Sequence, residues 1–117
     1  MSEKSLILIV EPEWDSAKVT PEQHDEAQRA HGAFAAAVAA AGAKILGGEA
    51  LQGANVGYAI TPGTPPVYTN GPLTETTEVV SGYYLIETET PELARELAAL
   101  CPTGGHIEVR PVWDMAM

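Results

Sequence analysis

The sequence predicts an α+β protein of the ferredoxin-like type, one domain over residues 1–117 with two helices on one face of an antiparallel sheet. Three observations predict it. The apolar runs LILIV and GYYLI are typical of strands covered on both faces. Capped helical stretches follow both runs. The order strand, helix, strand, hairpin, strand, helix, strand then gives two βαβ-type halves plus an extra hairpin.

The first half opens with the apolar strand Leu6–Val10, which Glu11-Pro12 ends. Thr20 suits an N-cap because Pro21 fits the first helical turn and Gln23 completes a capping box. Steps of three and four residues then predict one inward stripe, which ends at the terminal glycine Gly42. The stripe contains His24, Ala27, His31, Phe34, Val38 and Ala41.

The second half contains short strands and one more helix. AKILGGEAL is a strand with a glycine pair, and VGYAI and PVYT flank the proline-rich turn TPGTPP. EVVSGYYLIE and GHIEVRPV are strands on either side of a helix that Thr90 caps and that closes before Pro102. The inward stripe of this helix is predicted to be Leu93, Leu97, Leu100 and Cys101.

The two apolar strands belong in the centre of this fold, with the more polar strands around 44–51 and 106–112 at its edges. Two helices cover one sheet face, so alternate residues of both central strands would face water on the other. Burying each such Leu or Ile stabilises by about 1.5–3 kcal/mol. We therefore expect a homodimer packed sheet to sheet, with ligand sites between copies or in helix–sheet crevices.

Composition excludes several functions. Sixteen acidic residues against six basic ones give a net charge of −10, which argues against binding nucleic acid or an anionic membrane. A single cysteine, Cys101, forms no internal disulfide, and the N-terminal apolar run is too short for a signal peptide or membrane span. We therefore expect a cytoplasmic protein. The scattered histidines predict no metal site, and no residue pattern requires a cofactor.

The segments NGPLTETTEVVSGYYLIE, CP and EVRPV resemble the YCII-related family, in the branch named for its Asp-Gly-Pro-Phe motif. This resemblance implies a ferredoxin-like fold of the dimeric α/β barrel superfamily. It also implies similarity to a dehydrochlorinase of aromatic degradation. The chain departs from the branch motif at four positions. They are Asn70 for Asp, Leu73 for Phe, Thr77 for Lys and Ser81 for the first of two glycines.

The resemblance further implies a histidine and acid pair, with the histidine about three turns before the end of the first helix. His31 occupies that position. From the residues alone, His31 is either a hydrogen-bonded core histidine or a general acid or base at the helix–sheet crevice. Glu11, Glu13 and Asp15 are either solvated acidic residues, as most such residues are, or one of them is the acid partner. If one acts, Glu11 is the candidate, because a strand end holds a carboxylate more rigidly than the loop containing Glu13 and Asp15.

Three further residues are candidate ligand contacts. Asn70-Gly71 favours a turn, and Asn70 and Glu75 would then lie at the mouth of the cleft. Alternatively, this loop only sets the strand register, with Glu75 bonded to backbone amides. Asn70 cannot replace the motif carboxylate as a base, because an amide does not titrate. Tyr83 and Tyr84 point to opposite faces, and Tyr83 is the candidate for a hydrogen bond across the cleft.

Three functions fit this pattern. The first is a small-molecule enzyme that uses His31 for elimination or isomerisation next to a carbonyl. The second is a non-catalytic dimer that binds a metabolite or a protein partner. The third is a haem-type monooxygenase, for which Trp14 and Trp113 supply no iron ligand.

Overall fold

The computed structural model describes residues 2–71 and 77–115, which form two helices, six strands and two single 3₁₀ turns. The strands and helices follow the predicted order. Their bounds are β1 Glu3–Pro12, α1 Pro21–Ala40, β2 Lys44–Ala50, β3 Tyr58–Thr61, β4 Val67–Asn70, β5 Glu78–Thr88, α2 Pro91–Ala98 and β6 His106–Pro111. The 3₁₀ turns are Ser16–Lys18 and Ala54–Val56.

The main sheet has four strands in the order β2-β5-β1-β6, and every neighbouring pair is antiparallel. The two apolar strands, β1 and β5, are central, and the more polar β2 and β6 are the edges, so this prediction is confirmed. β3 and β4 pair with each other as a separate two-stranded ribbon, which is the predicted extra hairpin. The α+β, ferredoxin-like class is thereby confirmed.

One face of the main sheet supplies the core. Ile7, Ile9 and Ile86 are buried there, because β-strand residues two apart point to the same side. Both helices pack on this face, as predicted. Their buried contributions, with the residue that follows α2, are Phe34, Val38, Ala94, Leu97, Ala98 and Cys101.

The opposite sheet face has no helix over it. Leu6 pairs with Leu85, and Leu8 pairs with Tyr83, and all four residues are half-buried. Their alternation with Ile7 and Ile86 places them on the side away from α1 and α2. Neither of the two described helices therefore covers this layer.

The caps of α1 form as predicted. Thr20 Oγ1 accepts a hydrogen bond from the Gln23 amide at 3.1 Å, and Gln23 Oε1 accepts one from the Thr20 amide at 3.0 Å. At the other end, Gly42 has a φ of 78°, the left-handed conformation that glycine adopts without strain. The Ala43 amide then bonds the Val38 carbonyl at 3.1 Å and closes the last turn.

Both predicted helical stripes were partly wrong. In α1, Phe34 and Val38 are buried and His31 is half-buried, but residues 21–30 are all exposed. The first half of α1, including the predicted His24 and Ala27, therefore does not pack on the sheet. At the end of α2, Leu100 is 58% exposed because the helix stops at Ala98 and the chain turns outward.

Candidate functional site

A cavity of about 910 Å³ lies on the helix side of the sheet. Its walls are the first half of α1, the central strands β1 and β5, the edge strand β2 and the loop after α2. The first half of α1 stands away from the sheet. The space beneath it is therefore open, because core side chains do not fill it. The cavity is therefore the helix–sheet crevice that the fold predicted.

His31 and Tyr84 meet in this cavity. Nδ1 of His31 lies 2.7 Å from the Tyr84 hydroxyl, and the ring centroids are 5.7 Å apart. Tyr84 also packs on the core, with 4.9 Å between its ring centroid and that of Phe34. Burial raises the pKa of Tyr84, and the nearby Cys101 thiol adds to the effect, so the hydroxyl keeps its proton at neutral pH.

Gly48 in β2 makes room for the Tyr84 ring. A Cβ atom at Gly48 would lie 2.7 Å from Cδ1 of Tyr84 and 2.8 Å from the Tyr83 carbonyl oxygen. These distances are well inside van der Waals contact, so a side chain at Gly48 would displace the tyrosine. The neighbouring Gly47 has no such constraint, because a Cβ atom there would meet nothing within 4 Å.

Glu11 is fixed by two hydrogen bonds at the end of β1. One carboxylate oxygen accepts from Ser81 Oγ, and the other accepts from the Gly104 amide at 2.6 Å. Ser81 can reach Glu11 because β5 has a bulge at this point, where Ile9 pairs with Gly82 and Val10 pairs with Val80. The bulge places Ser81 within reach of Glu11. The Glu11 carboxylate therefore joins β1, β5 and the loop after α2.

Cys101 lies close to this carboxylate and is buried. Burial raises the pKa of its thiol to about 11, and the negative charge of Glu11 contributes to the shift. The thiolate is the nucleophilic form of cysteine, and it is suppressed here at neutral pH. Cys101 therefore serves the core, as the sequence predicted.

A family model for the YCII-related domain matches residues 6–116, which is nearly the whole chain. The chain belongs to the YCII-related family. This match confirms the family that the sequence motifs indicated, and it concerns the family as a whole and not its Asp-Gly-Pro-Phe branch. No curated protein matches the chain.

The structure of this YCII-related chain brings His31 and Glu11 into one cavity but not into contact. Among the described residues, the partner of His31 Nδ1 is Tyr84 and not a carboxylate. The partners of Glu11 are Ser81 and Gly104. The geometry therefore gives an imidazole–hydroxyl pair with a carboxylate in the same cavity.

The predicted ligand contacts lie in different places. Tyr83 lines the cavity, but the alternation along β5 directs its side chain to the opposite sheet face from Tyr84. Asn70 is exposed at the end of β4, where it pairs with Tyr58. Glu75 lies outside the described residues. A ligand contact at each of these positions stays a prediction.

The two other histidines belong to exposed surfaces. The His24 side chain is 62% exposed, with Nδ1 3.8 Å from Asp25. His106 lies on the edge strand, between Glu78 at 3.2 Å and Glu108 at 3.5 Å. In residues 2–71 and 77–115, no group of three His, Cys, Asp or Glu side chains could hold a metal ion. In the same ranges, neither helix is suited by length and hydropathy to span a membrane.

The cavity lining is acidic. It includes Glu11, Glu26 and Glu49, and no lysine or arginine from the described parts of the chain contributes to it. The whole chain is also negative, with a formal charge of −10. The summed field at the cavity therefore disfavours strongly anionic ligands.

Sequence reasoning did not identify Tyr84, Ser81 and Gly48 as parts of the site. The alternation along β5 is a signal for Tyr84, because residues 84 and 86 share a face and Ile86 belongs to the core. In the sequence, Ser81 is notable only because it replaces the first of the two glycines of the branch motif. The contact of Ser81 with Glu11 depends on the bulge, which no local pattern predicts.

Proposed function

We propose that this YCII-related protein is a small-molecule enzyme in which His31 acts as general base and acid for elimination or isomerisation next to a carbonyl. The observation that supports it is the 2.7 Å contact between His31 Nδ1 and the Tyr84 hydroxyl inside a cavity of about 910 Å³. Imidazole exchanges protons near neutral pH, which suits this chemistry.

Tyr84 would select the reactive form of His31. In the base form, Nδ1–H donates to the tyrosine oxygen and the lone pair is on Nε2. That nitrogen removes a proton from the carbon next to the substrate carbonyl, and the C–H electrons form an enolate. The Tyr84 O–H is then free to donate to the enolate oxygen, which stabilises the developing charge.

Two outcomes follow from the same enolate. In an elimination, the electrons move on to form a double bond and a leaving group departs from the next carbon. In an isomerisation, the Nε2–H of His31 returns the proton to a different carbon. Glu11, held by Ser81 and Gly104, is a carboxylate in the same cavity that does not contact His31 in this structure.

We also propose that the protein works as a homodimer whose uncovered sheet faces pack together. The half-buried Leu6, Leu8 and Leu85 support this, because packing a second sheet on an apolar layer of this kind removes it from water and stabilises the folded protein. The single free thiol, Cys101, supports a location in the reducing cytoplasm.

Proton exchange tests the enzymatic proposal directly. Candidate carbonyl compounds are incubated with the protein in D₂O, and loss of the signal of the proton next to the carbonyl is followed by NMR. Binding is followed in parallel by thermal shift, because a ligand of the folded state raises the melting temperature. We expect at least one compound to bind and to exchange this proton with solvent.

Variants then assign the exchange to the site. His31→Gln should abolish exchange while the ligand still raises the melting temperature, and His106→Gln should behave as wild type because His106 is exposed on the edge strand and outside the cavity lining. A compound that stabilises wild type and His31→Gln equally, with no exchange in either, would instead support a non-catalytic binding protein.

A further inference from the structure

The ribbon of β3 and β4 is isolated from the rest of the fold. Its strands pair with each other, from Tyr58 opposite Asn70 to Thr61 opposite Val67, and they join no other strand of the described chain. A lone two-stranded ribbon is marginally stable in water and needs a surface to pack on. The ribbon therefore needs a contact that no strand or helix among residues 2–71 and 77–115 supplies to a comparable extent.

One face of the ribbon is strongly apolar. Because paired residues of an antiparallel ribbon share a face, Tyr58, Ile60 and Tyr68 lie on the same side. Their exposed fractions are 67%, 50% and 66%. The other face consists of Ala59 and Thr69, which are half-buried, and of Thr61 and Val67 at the ribbon end, which are exposed. Three large side chains are thus presented together on the outward face.

The ribbon also lacks charge. Residues 54–70 include no Asp, Glu, Lys or Arg, although such residues make up 19% of the chain. An exposed segment of a protein with a net charge of −10 would ordinarily contain several. Depletion of charge with enrichment of tyrosine is the composition of the centre of a protein–protein interface.

The accessible surface area and the radius of gyration of the chain indicate how much surface a partner could bury. The chain exposes 8374 Å² and has a mass of 12.3 kDa, whereas a compact monomer of that mass exposes about 6100 Å². The excess is larger than the roughly 800 Å² that each partner buries in a standard interface. The radius of gyration, 16.3 Å, likewise exceeds the roughly 13 Å of a compact chain of this length.

We propose that the ribbon is an arm that docks on a second copy of this chain, with Tyr58, Ile60 and Tyr68 as its contact face. In a two-fold dimer each copy gives one arm and receives one, so the contact is made twice. The arm packs beside the sheet face that no helix covers. Formation of the dimer then depends on a segment outside the main sheet. This proposal does not depend on the chemistry of His31.

Sedimentation velocity over a range of protein concentrations tests the arm. We expect wild type to be a dimer, and the double variant Tyr58→Asp/Tyr68→Asp to raise the dimer dissociation constant by about 30-fold or more. Leu100→Asp is the matched control, because Leu100 is 58% exposed on the helix side and lies outside the proposed contact. It should leave the dissociation constant unchanged.

Hydrogen exchange of the wild-type protein tests the same contact without a substitution. Backbone amides of residues 58–61 and 67–70 should exchange slowly in the dimer and quickly after dilution below the dissociation constant. Amides of Ile7 and Ile86 in the core should stay slow in both conditions. This measurement keeps the test decisive even where the double variant fails to fold.

Several results would overturn the proposal. A wild-type protein that stays monomeric at every concentration would overturn it, and so would a monomeric wild-type protein that binds a different protein. So would a folded double variant that dimerises as tightly as wild type. A dimer whose arm amides exchange as fast as those of the monomer would show that the sheet faces alone hold the copies together.

Discussion

The Tyr84 hydroxyl contacts His31 Nδ1 at 2.7 Å, and this contact joins the middle of α1 to the centre of β5. The same tyrosine ring packs on Phe34, one helical turn further along α1. A single side chain thus contacts both the His31 imidazole and the hydrophobic core. The orientation of the imidazole is therefore tied to the packing of the sheet.

Tyr84→Phe tests this link, because it removes the hydroxyl and keeps the ring that packs on Phe34. We expect a loss of about 0.5–1.5 kcal/mol in the free energy of unfolding, the usual net worth of one hydrogen bond. The ¹⁵N resonances of the His31 ring should shift as its Nδ1 partner is lost. Tyr83→Phe is the control, and it should leave those resonances unchanged because residue 83 faces the other side of the sheet.

Gly48→Ala and the adjacent Gly47→Ala form a matched pair in β2. A methyl group at Gly48 would collide with Tyr84, so Gly48→Ala should destabilise the protein by about 1–3 kcal/mol and perturb the His31 ring resonances. Gly47→Ala meets open space and should be neutral or slightly stabilising. Chemical denaturation checks both, and equal effects would contradict a steric role for Gly48.

Glu11→Gln exchanges one acceptor oxygen for an amide donor at a site that faces two donors, Ser81 Oγ and the Gly104 amide. At least one of these bonds must fail, with an expected cost of about 1–3 kcal/mol for a charge-assisted bond. Glu96→Gln, on the exposed side of α2, is the control. Similar unfolding free energies for the two variants would show that the Glu11 bonds do not hold the loop.

Alkaline pH should destabilise the protein through Cys101. Its thiol pKa is raised to about 11 in the folded state from an ordinary value of 9.0, so the folded state holds its proton longer than the unfolded state. The stabilisation is complete below pH 9 and is lost as pH rises from 9 to 11. The raised pKa of Tyr84 acts in the same direction above pH 10.

Thermal unfolding between pH 8 and 11 measures this dependence. The melting temperature of wild type should fall across the window, and the fall should be smaller for Cys101→Ala, which has no thiol to titrate. Cys101→Ala should also be less stable than wild type below pH 9, because it removes buried volume. A pH dependence identical to that of wild type would exclude the thiol as its source.

Local sequence signals predicted most of the fold. The apolar runs identified β1 and β5 as central strands, and the cap of α1 begins at Thr20 as expected. Those signals are local: continuous hydrophobicity and a side chain that bonds a nearby amide. The exposed half of α1 was not predictable in this way, because helical periodicity does not reveal where the supporting sheet ends.

The candidate site was predicted less fully for a related reason. His31 was predicted from its helical stripe and the family resemblance, and Glu11 from its position at a strand end, and both line the cavity. Tyr84 and Ser81 were missed, because each meets its partner across more than fifty positions of sequence, and the contact of Ser81 depends in addition on a bulged register. Contacts of that range follow from strand pairing, which a single sequence specifies only indirectly.

The packing of Phe34 on Tyr84 has a consequence for adaptation in the laboratory. A substitution of Phe34 selected for heat resistance would also reorient the tyrosine, so it would change the His31–Tyr84 contact together with the stability of the fold. The outer half of α1, residues 21–30, is free of that conflict because it borders the cavity without filling the core. Amino-acid exchanges on that half-helix should therefore reshape the cavity lining while they leave the framework intact.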